Sequence, residues 1–200
     1  MRKLSYILAI LTSVISFKAM AEETEDFSAV APESQSVSIL SLKSDALPWC
    51  LAIPNIGAEV TFGEKWSATL DLWFCPWKIS DKFSVKTVGI FPEGRWWLKT
   101  NQGGSFFNVH FNLAWFNVRA NHYRYQDEGR PLLGAGIGYG YRLNIHKRWS
   151  VEFEIGAGMA NMKYNRYYNV TNGALQDQRV STYWGIDRAS VTFIYYLCDL

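Results

Sequence analysis

A run of thirteen residues in which every second side chain is apolar leaves this chain little choice of secondary structure. Leu133, Ala135, Ile137, Tyr139, Tyr141, Leu143 and Ile145 alternate with Gly134, Gly136, Gly138, Gly140, Arg142 and Asn144. A period of two places the first set on one face of a strand and the second on the other. Strands of globular domains are usually about 5–6 residues long. A longer run suits a tilted strand that crosses a bilayer together with its interfacial ends.

The same alternation recurs along the chain. Val151, Phe153, Ile155, Ala157 and Met159 oppose Glu152, Glu154, Gly156 and Gly158. Phe107, Val109, Phe111, Leu113 and Trp115 oppose Asn108, His110, Asn112 and Ala114. Ala68, Leu70, Leu72 and Phe74 oppose Ser67, Thr69, Asp71 and Trp73, and Ile56, Ala58, Val60 and Phe62 oppose Gly57, Glu59 and Thr61. Val191, Phe193, Tyr195 and Leu197 form a last strand, and Val88, Ile90, Trp96 and Leu98 share a face opposite Glu93, Arg95 and Trp97. Pro92 interrupts that strand and predicts a bulge, because proline removes a ladder donor. These are seven strands, and closure asks for an eighth within 37–46, since single-chain bacterial outer-membrane barrels have even strand numbers. The connections alternate between long (47–54, 76–84, 119–130, 166–180) and short (63–65, 99–104, 146–148), the asymmetry of outer loops and periplasmic turns. Trp66 and Trp149 follow two of the short turns and predict an interfacial aromatic level shared with Trp96 and Phe107, with Trp115 and Trp184 in the opposite belt.

Composition agrees. Charged residues are 19% and aromatic residues 16% of the chain. After residue 21 no stretch approaches the roughly 18–20 apolar residues of a transmembrane helix. A spanning chain without such a helix must close a barrel. Arg2 and Lys3, the apolar run 4–17 and Ala19-Met20-Ala21 read as a cleavable signal peptide over 1–21, with Glu22 as the mature start. Residues 22–36, acidic and rich in serine, are expected to be a disordered leader, and 37–200 the barrel domain. Of 20 Lys and Arg residues, Arg2, Lys3 and Lys18 fall in the signal, so 17 bases face 18 acids beyond it. A near-neutral chain without a basic stripe excludes nucleic acid as a partner. The fold class expected is therefore all-β: an antiparallel up-and-down transmembrane barrel of eight strands in the outer membrane of a Gram-negative bacterium, reached by Sec export.

In that orientation the polar face lines a narrow lumen filled by side chains. Glu59, Asp71, Glu93, Arg95, His110, Arg142, Glu152, Glu154 and Arg188 point inward, and the glycines make room for bulky neighbours. Buried charges must be paired, so these residues are expected to form a salt-bridged structural plug; a proton or ion path is the alternative. The rival architecture is a soluble lipocalin-type barrel that turns its apolar face to a bound lipid. Strand length, tryptophans beside turns and a glycine-rich polar face favour the membrane form.

Chemistry-bearing motifs are sparse. Cys50 and Cys75 flank the hairpin 55–74 at its outer end, so a disulfide between them is geometrically allowed, as is a free Cys75. Cys198 lies at the other end. No C-x-x-C, G-x-S-x-G or metal-ligand spacing of His110, His122 and His146 occurs. The glycine run 134–140 lacks the following helix of a phosphate loop. No cofactor is implied. Two outer segments interleave Tyr, Arg and Asn: Tyr123, Arg124 and Tyr125 in one, Arg166, Tyr167 and Tyr168 in the other. That composition suits contacts to protein, sugar or lipopolysaccharide, or an ordinary solvated rim.

Several segments together resemble a known group. The runs 42–47, Pro54-Asn55-Ile56-Gly57-Ala58-Glu59 and Gly63-Glu64-Lys65-Trp66-Ser67 are similar to the DUF3575 family of small outer-membrane barrels of Bacteroidales. Glu93-Gly94-Arg95-Trp96-Trp97, and Gly138-Tyr139-Gly140-Tyr141 followed by Arg148-Trp149-Ser150-Val151-Glu152-Phe153, resemble later parts of the same pattern. The likeness covers nearly all of 38–197. It implies the barrel and no activity; it hints at fimbrial or surface-assembly partners. The expected function is non-enzymatic, an envelope-structural or surface-interaction role in contact with outer-membrane lipid, lipopolysaccharide and, during insertion, the barrel-assembly machinery. The alternatives are a lipid-modifying enzyme, which needs His122 near a Ser and a carboxylate, and a soluble periplasmic lipid-binding barrel.

Overall fold

The period-two segments become strands throughout. The computed structural model describes residues 39–77, 83–100, 103–170 and 173–199. The expected signal peptide and leader lie outside the described residues. Among the described residues nine antiparallel strands form: β1 (Ile39–Asp45), β2 (Asn55–Phe62), β3 (Trp66–Cys75), β4 (Phe83–Trp97), β5 (Gly104–Ala120), β6 (Tyr123–Asp127), β7 (Leu132–His146), β8 (Trp149–Tyr168) and β9 (Leu175–Asp199). A single-turn helix, α1 (Ala46–Trp49), follows β1, with the Asp45 side chain accepting from the Leu47 amide as its N-cap.

Each strand except β6 pairs with its sequence neighbours in the order β1-β2-β3-β4-β5-β7-β8-β9, and β9 pairs with β1 to close a ring of eight. Following the register from Ser41 through Glu59, Thr69, Glu93, His110, Gly136 and Gly158 arrives at Gly185, whereas Ser41 itself pairs with Tyr196. That offset is the stagger by which tilted strands close on themselves.

The alternation sorts the side chains as read. Ile56, Leu70, Val88, Val109, Ile137 and Ile155 face out and are well exposed, Ile137 at 69%. Ser41, Glu59, Thr69, Glu93, Arg95, His110, Arg142 and Glu152 face in and are buried. The glycines of β7 stand directly opposite the bulky inward residues of β5: Gly140 opposite Phe106, Gly138 opposite Asn108, Gly136 opposite His110 and Gly134 opposite Asn112. A Cβ on Gly136 would lie 2.6 Å from the His110 ring and 2.8 Å from the Ala157 carbonyl oxygen. Small and large residues interleave because the ring has no space for two large ones at the same level.

Three expectations are corrected. The region 119–130 is not an open loop. Asn121 adopts φ 52° and turns the chain within two residues, so that β6 folds back on β5 and is clamped between β5 and β8 beyond the end of β7. Asparagine tolerates that left-handed conformation, and Tyr123 and Tyr125 carry a strand alternation that their polar neighbours disguised. The loop 166–180 likewise shrinks, because β8 continues to Tyr168 and β9 begins at Leu175. Pro92 causes no bulge. Its register with Leu70 is regular, and the β4–β5 ladder skips Phe91 and Pro92, then resumes unshifted at Glu93 and His110. A missing amide donor interrupts the ladder without adding a residue.

Candidate functional site

The inside of the ring is built in layers. At the end nearest the short turns, Trp97 and Phe106 are fully buried, with ring centroids 4.7 Å apart, and the Trp97 indole donates to Ser67 Oγ at 2.9 Å. On this aromatic floor lie two guanidinium groups, Arg95 over Phe106 at 4.4 Å and Arg142 over Trp97 at 4.6 Å. A cation over a ring face gains electrostatic attraction where water is excluded.

Glu152 is the hub of the next layer. Its Oε2 accepts from Arg95 Nη1 at 2.8 Å and from Arg142 Nη2 at 2.8 Å, and its Oε1 accepts from Arg95 Nη2 at 2.9 Å and Lys43 Nζ at 3.4 Å. Arg142 also engages Glu59, and Arg95 engages Glu93. Arg188 bonds Glu93 and lies 3.6 Å from Glu154, which in turn accepts from Asn108 at 3.0 Å. Four cations (Lys43, Arg95, Arg142, Arg188) thus meet four glutamates (Glu59, Glu93, Glu152, Glu154). Neutrality within the cluster is what makes its burial tolerable.

Of the predicted inward residues, Glu59, Glu93, Arg95, Arg142, Glu152, Glu154 and Arg188 are brought into this one network. His110 stands apart with Asp187, its Nε2 3.0 Å from Asp187 Oδ2 and its Nδ1 3.0 Å from Asn108 Oδ1. Asp71 lies higher, over Gly57 and beside the entrance residues Asp45 and Asn55.

Sequence reading missed two interior charges. Lys43 lies in the strand whose limits were least defined, although Leu40 and Leu42 already alternated with Ser41 and Lys43. Asp187 breaks the rule of two. Gly156 pairs with Arg188 and the next residue, Ala157, pairs with Ile186, so Asp187 is an extra residue in β9 and shares the inner face with its neighbour Arg188. Nearby Gly185 has φ 151°, a conformation glycine adopts without strain. Nothing in the local sequence announces a bulge there.

The disulfide between Cys50 and Cys75 does not form: both are free, Cys50 exposed and Cys75 buried. The Cys75 thiol is instead occupied with the Ala52 carbonyl oxygen at 3.6 Å. Cys50 follows α1, whose turn carries it to the surface while Cys75 faces inward.

The six outer residues do meet, but chiefly one another. Tyr123 pairs with Tyr168, Arg124 with Tyr167 and Tyr125 with Arg166 across β6 and β8. Arg124 stacks on Tyr167 at 4.6 Å, and Arg166 stacks on Tyr123 at 4.9 Å and bonds Asp177 at 3.2 Å. They lie on paired strands, in an extension of the sheet beyond the end of β7. His122 lies in the β5–β6 turn, exposed, with its carbonyl accepting from the Asn169 amide at 2.8 Å.

The sequence pattern of a family described as proteins of unknown function, DUF3575, matches residues 25–197. The chain belongs to the DUF3575 family. No curated protein and no solved structure matches it. The segments that carry the DUF3575 likeness supply part of the interior network: Lys43 lies in the run 42–47, Glu59 ends the run 54–59, Glu93, Arg95 and Trp97 fill the inward positions of the run 93–97, and Glu152 lies in the run 148–153. Among the described residues no cluster suited to a metal ion occurs.

Proposed function

We propose that this DUF3575 protein is a small outer-membrane β-barrel, exported by its cleaved signal peptide, whose charge network closes the bore and which acts without catalysis, as an envelope-structural element that presents its outer sheet to partners. The observation that carries the reading is inverted burial. Isoleucine, leucine, valine and aromatic side chains cover the outside of a closed ring while arginines and glutamates fill its inside. Such a distribution is stable only where the outside meets hydrocarbon, because water would reward the opposite arrangement. A band of aromatic residues beside the short turns supports it: Trp66 pairs with Trp96, Trp96 stacks on Phe107 with centroids 6.3 Å apart, Phe107 meets Tyr139 at 5.4 Å, and Trp149 meets Tyr195 at 4.9 Å. A belt of this kind marks an edge of a bilayer.

With the bore filled, passage of solutes is not its task. Contact with lipopolysaccharide and with fimbrial or surface-assembly proteins falls to the extension built from the ends of β5, β6, β8 and β9. The decisive experiment is expression in a Gram-negative host, followed by membrane fractionation, N-terminal sequencing and gel mobility before and after boiling. The expected product begins at Glu22, resists extraction from the outer membrane and shifts its mobility on heating. A fully soluble periplasmic product would overturn the proposal.

A further inference from the structure

Beyond the charge network, toward the β1–β2 connection, lies a partly open cavity of about 80 Å³. Asp45, Asp71 and Asp187 border it together with Ser190, and Trp73 and Phe91 form an aromatic wall with centroids 4.6 Å apart. The cations along its edge are engaged, Lys43 by Glu152 and Arg188 by Glu93 and Glu154. The cavity therefore carries negative potential beside a π face.

Two polar atoms here bear directly on a ligand. The Asp187 side chain is only 5% exposed. Its Oδ2 accepts from Asn112 at 3.0 Å and meets His110, while its Oδ1 is buried with no hydrogen-bond partner among the described residues. Ser190 also borders the cavity, and its Oγ is likewise buried with no hydrogen-bond partner among the described residues. A buried carboxylate oxygen without a donor is costly. A primary ammonium offers three donors and no acceptor, and it is attracted to aromatic faces. We infer that the cavity binds the primary ammonium group of a small amine, with Asp187 Oδ1 and Ser190 Oγ accepting from it and the Trp73–Phe91 wall against its alkyl end. A dense, fully satisfied interior would have no such place. The bulge that turns Asp187 inward creates it.

The inference rests on the interior geometry and not on membrane residence, so it fails separately from the proposed function. The test is a titration of the folded full-length mature protein with ethylammonium chloride, read by tryptophan fluorescence, with sodium chloride and tetramethylammonium chloride at equal ionic strength as comparison arms. The expected result is a saturable change with ethylammonium alone. Trp73→Phe should remove most of that signal. Asp187→Asn should weaken binding by about 10- to 100-fold, as loss of a charged hydrogen bond requires, and Ser190→Ala, which leaves His110 and Asn112 undisturbed, by about 3- to 10-fold. Heat-dependent gel mobility certifies that each variant is folded. No saturable change, an equal response to tetramethylammonium, or unaltered affinity in both folded variants would each overturn the inference, the first of these meaning that solvent alone occupies the site.

Discussion

Glu152→Gln is the sharpest perturbation of this interior, because it keeps the shape of the side chain and removes one charge from a cluster of four cations and four glutamates. Glu152 is fully buried and accepts from Lys43, Arg95 and Arg142. Removing one partner of a buried ion pair leaves an uncompensated charge and costs about 3–5 kcal/mol. Glu59 and Glu93 still hold parts of the two guanidiniums, which argues against a larger value, and the carboxamide turns a donor toward Arg95 or Arg142, which argues against a smaller one. We therefore expect a loss of about 3–5 kcal/mol. A second substitution restores neutrality: in Glu152→Gln/Arg142→Gln three cations face three glutamates. The double variant should be more stable than the sum of the single effects by about 0.5–3 kcal/mol, the range for contacting residues in one network. Urea titration of the protein folded into lipid vesicles, followed by tryptophan fluorescence, measures all four corners of this cycle. A Glu152→Gln loss below about 0.5 kcal/mol, the level of an ordinary surface substitution, together with additive single effects, would refute the view that charge balance holds the interior.

Other parts of the structure make separate predictions. Gly136→Val should prevent the ring from closing, since its side chain meets His110 and the Ala157 carbonyl, whereas Gly94→Ala, which meets nothing within 4 Å, should change stability by less than about 0.5 kcal/mol; gel mobility before and after boiling separates the two. Ile137→Arg on the outer face should cost about 2–4 kcal/mol in vesicles if that face meets the bilayer midplane, and a neutral effect would contradict that placement. A maleimide should label exposed Cys50 in the folded protein and Cys75 only after unfolding; a non-reducing mass two hydrogen atoms short of the free-thiol value would show a disulfide instead. Tyr123→Ala should loosen Arg166 and raise proteolysis within the outer extension while leaving the ring intact, and unchanged cleavage would show that the Arg166–Tyr123 stack does not order it.

The period of two was legible from the residues alone, and with it seven of the eight ring strands, their inner and outer faces and the inward direction of Glu59, Glu93, Arg95, Arg142, Glu152 and Glu154; the eighth strand followed from the even number that closure asks for. This follows because a strand's side-chain period is independent of its partners: alternation over thirteen residues has one structural meaning wherever the strand ends up. The glycines opposite the inward residues of β5 were readable in kind, as small residues for a crowded interior, but not in pairing. Tertiary structure alone decided the rest. Which acid meets which arginine depends on the register of strands far apart in the chain, as with Lys43 and Glu152. Asp187 turns inward only because β9 carries one residue more than β8 at that point, and a bulge is a property of a pair of strands, not of either one. The residues 123–125 and 166–168 looked like loops because their composition is polar, until β6 found a place between β5 and β8. Cys50 and Cys75 remained compatible with a bond until the turn of α1 sent the Cys50 thiol outward and the alternation of β3 turned Cys75 in. Alternation tells a side chain which face it belongs to; only the closed ring tells it whom it faces.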